Sequence, residues 1–206
     1  VILRRLLDRP DLHSKIVVTK NPMFREDYQF TGLLKKHRML LTNRFDSEKR
    51  PGKTLSLFEK LKPEFPNWEF IVTTSRATFR SNDPNLVLYA RRLEQEGVIT
   101  IKAGLTKAQY HAELEQAEIV VSHSPEENYG ICIAEAIIYG CTPLLRNGAS
   151  HPEFVPSNYG GLFSDAADHD HYAAVRLMKQ WEKGHQPTLS FDWSGMTNIL
   201  NNLLKP

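Results

Sequence analysis

Two carboxylates with seven residues between them, Glu127 and Glu135, flank Gly130 in the run His123-Ser124-Pro125-Glu126-Glu127-Asn128-Tyr129-Gly130-Ile131-Cys132-Ile133-Ala134-Glu135-Ala136. The run follows the apolar triplet Ile119-Val120-Val121, which reads as a strand, and the residues from Ile131 onward read as a helix. The first turn of a helix has unpaired N–H groups and the positive end of the helix dipole, so the amides near Gly130 and Ile131 suit an anion such as a diphosphate. A glycine at that point lets a ligand come close to the backbone. Glu135 falls roughly 7 Å along the axis from the helix start, at about 1.5 Å per residue. Two acids so placed could bracket an extended ligand whose charged middle rests on the helix terminus. The plainer alternative is a capping acid at Glu127 and a Glu135 that faces solvent or a lysine.

A second element has the opposite charge. The run Thr42-Asn43-Arg44-Phe45-Asp46-Ser47-Glu48-Lys49-Arg50-Pro51-Gly52-Lys53-Thr54 leaves another strand end and holds four cations, Arg44, Lys49, Arg50 and Lys53, within ten residues. Arginine offers a planar fork and lysine a compact charge, which together could neutralise a departing diphosphate. A solvated basic loop is the alternative. Gly52-Lys53-Thr54 is not a P-loop, because that motif needs a glycine where Ser47 stands.

Ser124 to Pro143, with its Glu-Asn-Tyr-Gly-x4-Glu-Ala-x3-Gly-x-x-Pro pattern, resembles the Glu-x7-Glu signature of the retaining GT-B glycosyltransferases of the glycosyl transferases group 1 family. The resemblance implies the C-terminal, donor-binding lobe of such an enzyme. It places Glu127 by the donor sugar hydroxyls and Glu135 on the nucleotide ribose, with Asn128, Tyr129, Gly130 and Ile131 among the donor-binding residues. Arg44 and Lys49 match the pair that grips the diphosphate. Ala103-Gly104-Leu105 matches a segment whose backbone touches the base, Asn147 to Glu153 a Gly-Gly-x-x-Glu turn, and Phe191-Asp192-Trp193 the start of a final helix. His151, in that turn, is either structural or a substrate contact. The chain departs from the pattern at Asn43, Arg50 and Asn128, where glycine is usual, and at His123, where proline is common.

The implied reaction moves a sugar from a nucleoside diphosphate, UDP being favoured over GDP, to an acceptor hydroxyl with retained anomeric configuration. Glu127, Arg44 and Lys49 would be the catalytic groups, with no metal and no cofactor required. The acceptor would be held mainly by an N-terminal lobe that the chain lacks, and a nucleic-acid acceptor stays open. The alternatives are a non-catalytic nucleotide-sugar-binding module and another GT-B enzyme, such as a sugar-nucleotide epimerase.

These loops need a frame. From Arg38 onward, short β-branched or apolar runs alternate with longer stretches of helical spacing, which implies parallel strands joined by right-handed crossovers: an α/β, Rossmann-like doubly wound sheet. Strands are expected over 39–42, 69–73, 98–101, 119–121 and 143–145, and helices over 54–61, 84–96, 107–116, 131–139, 165–183 and 194–204. Such a sheet binds ligands outside the carboxyl ends of its strands, at the switch in strand order. Before this domain, assigned to 26–206, residues 1–25 read as an interlobe connector and a remnant of the N-terminal lobe, with a helix over 2–8 and a strand over 15–19.

The 206 residues suit one domain with a short extension. Lysine and arginine number 26 against 24 aspartates and glutamates, so any anion site must be local rather than a basic face. Cys132 and Cys141, at the two ends of one helix, read as reduced thiols of a reducing compartment, the cytoplasm. No apolar run approaches the ~20 residues of a membrane-spanning helix. The start at Val1 inside a helix reads as a piece of a longer polypeptide or a processed end.

Overall fold

A computed structural model describes residues 28–127, 130–148, 150–153, 155 and 159–185. The expected helix over 2–8, strand over 15–19 and helix over 194–204 lie outside the described residues, as do Asn128 and Tyr129.

Among the described residues, six parallel strands form one sheet: β1 (Lys36–Leu41), β2 (Glu69–Thr73), β3 (Thr100–Lys102), β4 (Ala117–Ser122), β5 (Thr142–Arg146) and β6 (Leu162–Phe163). Their order is β3-β2-β1-β4-β5-β6, so the direction of winding reverses between β1 and β4. Among the described residues, five helices cross between strands or close the sheet: α1 (Pro51–Glu64), α2 (Pro84–Gln95), α3 (Lys107–Gln116), α4 (Ile131–Ile138) and α5 (His169–Glu182). This is the doubly wound α/β architecture expected, with its crevice at the β1/β4 switch.

The central strands are apolar on both faces because helices cover both. Met39, Leu41, Phe70, Val72, Ile119 and Val121 join Leu55, Phe58 and Leu61 of α1, Leu93 of α2 and Leu177 and Trp181 of α5 in one continuous core. Leu40, Ile71 and Val120 alternate with them and are equally buried, yet lie outside that core. Helices α3 and α4 lie against β1 and β5 respectively. Among the described residues no helix is long and apolar enough to cross a membrane.

Several boundaries differ from expectation for identifiable reasons. Helix α1 begins at Pro51 rather than Thr54, because proline at the first helical position already has a helical φ and needs no N–H partner there. Strand β3 starts at Thr100 rather than Val98: the amides of Val98 and Ile99 both point at the Leu93 carbonyl and close the end of α2 instead of joining the ladder. Helix α5 starts at His169 rather than Asp165, since Asp168 takes a left-handed φ of 58° and Asp165 is drawn to Arg146. Strand β6, with two residues, was not expected at all.

Candidate functional site

A cavity of about 870 Å³ opens beyond the carboxyl ends of β1 and β4. Six stretches furnish its polar wall: Thr42, Asn43 and Arg44 after β1, Glu48 and Lys49 in the 3-10 turn Ser47–Lys49, Thr73, Thr74 and Ser75 at the end of β2, Lys107 and Tyr110 on α3, Glu126 and Glu127 after β4, and the start of α4. The helical turn that carries Lys49 ends on Arg50, whose φ of 51° and ψ of 45° are left-handed. Arg50 thus holds a backbone conformation that glycine adopts freely, at a cost of roughly 1 to 2 kcal/mol for a side chain in that region. Its guanidinium reaches Asp165 at 3.3 Å.

Lys49 ties the two loops together. Its Nζ donates to the Glu126 carbonyl at 2.7 Å and to Glu127 Oε1 at 2.8 Å, and the Lys49 and Glu127 side chains are 15% and 12% exposed. An ammonium has three donors, so one is left for a ligand. Arg44 is different: it lines the cavity, is 63% exposed and pairs with Glu48 at 2.9 Å. The expected phosphate-binding cations are therefore both at the cavity, each held by a carboxylate. The lining balances Arg44, Lys49 and Lys107 against Glu48, Glu126, Glu127 and Glu135, so no broad positive field draws an anion in. An anion in this cavity would have to be held by directed donors.

Those donors include the amides at the α4 start. Gly130, with a φ of 81°, turns the chain into α4 and lines the cavity together with Ile131, Cys132 and Glu135. Only glycine enters this conformation at little cost. Glu135 sits on the fifth residue of α4, and burial raises its pKa while Lys107 on α3 pulls it back. His111 Nε2 lies 3.8 Å from Glu135 Oε1, and burial, then Lys107, lowers the imidazole pKa.

Two residues that the sequence reading treated as departures fasten the site. Asn43 is buried, donates through Nδ2 to Ser122 Oγ at 2.7 Å and accepts from Cys132 Sγ at 2.9 Å, joining the ends of β1 and β4 to α4. Burial, then Glu127, pushes the Cys132 thiol up to about 11, so it remains a protonated donor. His123, also buried, has Thr54 Oγ1 at 2.9 Å from Nδ1 and Asp170 Oδ2 at 3.1 Å from Nε2, fixing the loop to α1 and α5. Both cysteines are free, as expected.

Other expected residues stand further off. Gly104 is left-handed, gives its N–H to the Arg76 carbonyl at 2.8 Å and is not part of the cavity wall, although its neighbour Leu105 is. His151 is fully buried, bonds the Arg146 carbonyl through Nδ1 at 2.9 Å and does not line the cavity, which favours its structural reading. Asp168-His169-Asp170 has the Asp-x-Asp spacing used for metals, but Asp168 pairs with Lys60 and Asp170 with His123, and neither lines the cavity. Thr42, Tyr110 and Lys107 are wall residues that no motif singled out.

A family model described as glycosyl transferases group 1 matches residues 24–188. Among solved structures, the chain is similar to the pneumococcal O-GlcNAc transferase GtfA, solved with UDP and GlcNAc: TM-score 0.59 and 17% identity over 77% of this chain and 31% of that one. TarM of S. aureus gives a TM-score of 0.60 and 15% identity over 93% of this chain and 38% of that one. The catalytic domain of cholesterol-alpha-glucosyltransferase from Helicobacter pylori gives 0.53 and 16%, over 72% of this chain and 90% of that one. At these identities the likeness speaks to the fold. The chain spans about a third of the first two structures, 31% and 38% of their lengths.

Proposed function

The chain belongs to the glycosyl transferases group 1 family, and from that premise we propose that its cavity binds a nucleoside diphosphate sugar and passes the sugar to an acceptor hydroxyl with retained anomeric configuration. The observation that carries this reading is Lys49, bonded at once to Glu126 and Glu127, beside the Gly130 end of α4. Lys49, Glu127 and the first residues of α4 thus line one space.

The departing diphosphate gathers negative charge as the sugar bond breaks, and donors already in place stabilise it most when they need no rearrangement. Lys49 and the amides at Gly130 and Ile131 meet that condition, and Arg44 joins by leaving Glu48. Glu127, held by Lys49, lies where it orients the sugar and offsets positive charge at the anomeric carbon. Glu135, the fifth residue of α4, takes the ribose. No protein base is assigned, since an oxygen of the leaving phosphate can accept the acceptor's proton, and neither a metal nor a cofactor enters this scheme. UDP is the favoured nucleotide; the similar GtfA was solved with it. The acceptor falls to a further lobe, and the free thiols favour the cytoplasm.

The test is transfer from UDP-sugars and GDP-sugars by the chain joined to its acceptor-binding lobe, with the anomeric configuration of the product read by NMR. Retention in the native protein and loss of turnover in Glu127→Gln is the expected result. An inverted product, or full turnover by Glu127→Gln, contradicts the scheme.

A further inference from the structure

His111 stands on α3, its imidazole packed among the rings of Tyr28, Tyr110 and Tyr139 with centroids 5.5, 5.9 and 5.0 Å away. It does not line the cavity, yet its Nε2 lies 3.8 Å from Oε1 of Glu135, which does. The two side chains are 15% and 12% exposed, and Nε2 is buried with no hydrogen-bond partner. A ring nitrogen left in that state costs free energy, and closing the gap by about 0.7 Å brings it within hydrogen-bond reach of the carboxylate.

The groups around the ring narrow its role. Burial, then Lys107 one turn back on α3, lowers the imidazole pKa, so the free protein holds the ring neutral. Burial keeps the Tyr110 and Tyr139 hydroxyls protonated, and Tyr139 donates to the Gln29 carbonyl. Glu115, one turn further along α3, is taken up by the Thr31 hydroxyl and the Thr31, Gly32 and Leu33 amides. Of these groups, Glu135 is the anion still open to Nε2. Hydrogen bonds of a site are often long before the ligand arrives and tighten in the complex. A ligand hydroxyl that donates to Glu135 occupies one carboxylate oxygen, and a donor behind it fixes the other and with it the plane of the group. A protonated imidazole donates more strongly than a neutral one.

Resting on the nucleotide-sugar reading above, we propose that His111 is a positioning residue that acts on the ligand through Glu135, donating from Nε2 to Oε1 in the complex, and that its protonation strengthens binding. Closing this contact raises the affinity of His111 for its proton above that in the free protein. Binding then takes up a proton, and ligand affinity grows as pH falls through the histidine range.

The experiment is a calorimetric titration of the full chain with UDP-glucose and GDP-glucose, whose diphosphates do not titrate in this range, as wild type, His111→Gln, His111→Phe, Glu135→Ala and the His111→Phe/Glu135→Ala double variant. Wild-type affinity rises about 5-fold from about pH 8 to about pH 5.5. His111→Gln, whose amide donates without titrating, binds near the wild-type level at the upper pH with a flat profile. His111→Phe keeps a ring among the tyrosines but is about 10-fold weaker, the worth of one hydrogen bond, and this penalty disappears in the Glu135→Ala background. Melting curves confirm that each variant is folded, and the His111→Gln profile decides the matter should the ring variant misfold. The same pH dependence in wild type and His111→Gln, or an undiminished His111→Phe penalty without Glu135, overturns the proposal and leaves the nucleotide reading in place. A wild type that binds neither nucleotide sugar overturns that reading, and this proposal with it.

Discussion

Replacing Lys49 with methionine keeps most of the side-chain volume and removes one charge from a pair with Glu127 at 2.8 Å. Truncating one partner of a fully buried pair costs about 3 to 5 kcal/mol, whereas exposed pairs are worth about 0 to 1. With the two side chains 15% and 12% exposed, the site lies between these limits, and a loss of about 1.5 to 3 kcal/mol is expected. In a domain of this size that lowers Tm by about 3 to 12 °C. Glu127→Gln is milder, about 1 kcal/mol, because the amide oxygen still accepts from Lys49. Once Glu127 is neutral, Lys49→Met no longer strands a charge. The double variant is then more stable than the sum of the single losses implies, by about 1 to 2 kcal/mol. Urea denaturation of the four proteins closes the cycle. Losses that add within about 0.5 kcal/mol refute the reasoning and make the pair a solvated rim contact.

Glu135→Ala should weaken nucleoside diphosphate binding about 10-fold or more, as loss of a charged hydrogen bond does, with a near-native melting curve; unchanged affinity in a titration removes Glu135 from the ribose. Arg50→Gly relieves a left-handed side chain and should melt at or above wild type, whereas Arg50→Ala keeps the strain, loses the Asp165 contact and melts lower; the reverse order in calorimetry refutes the strain. Acid should destabilise the fold through Glu115 and Asp46. Burial pushes both pKa values up, but the Thr31 hydroxyl and the Thr31, Gly32 and Leu33 amides outweigh it at Glu115, and Arg76 and the Asn82 amide do so at Asp46. With folded pKa values below the unfolded ones, this stability is complete above about pH 4 to 5 and disappears as pH falls through the folded values. Glu115→Gln should flatten the acid limb of a Tm against pH series, and an unchanged limb contradicts the assignment.

The frame was legible because its strands are continuous apolar runs, such as Ile119-Val120-Val121, that admit no solvent face, and because the helices between them carry regular spacing. Where a backbone group found a closer partner, pattern misled: Val98 and Ile99 are as apolar as a strand, yet their amides close α2. Two-residue β6 is too short to have a period. In the site, Glu127, Gly130, Ile131 and Glu135 were readable together because one strand, one turn and one helix carry them in sequence. The bond from Lys49 to Glu127 spans 78 residues and depends on strand order, which no local spacing states. Asn43 and His123 looked like lapses from a glycine and a proline; their partners, Ser122 and Cys132 for one and Thr54 and Asp170 for the other, come within reach only once the sheet is wound. Thr42 and Tyr110 belong to no motif and become visible only as residues of the cavity wall.

The claim beneath all of this is that a pyrophosphate seats between Lys49 and the first turn of α4. A crystal structure of the chain with a bound UDP-sugar decides it: phosphate oxygens within hydrogen-bond reach of Lys49 Nζ and the Ile131 amide, with Arg44 turned from Glu48 toward them, is the arrangement the account requires. A nucleotide bound elsewhere, or one in this cavity whose phosphates touch neither Lys49 nor α4, contradicts it.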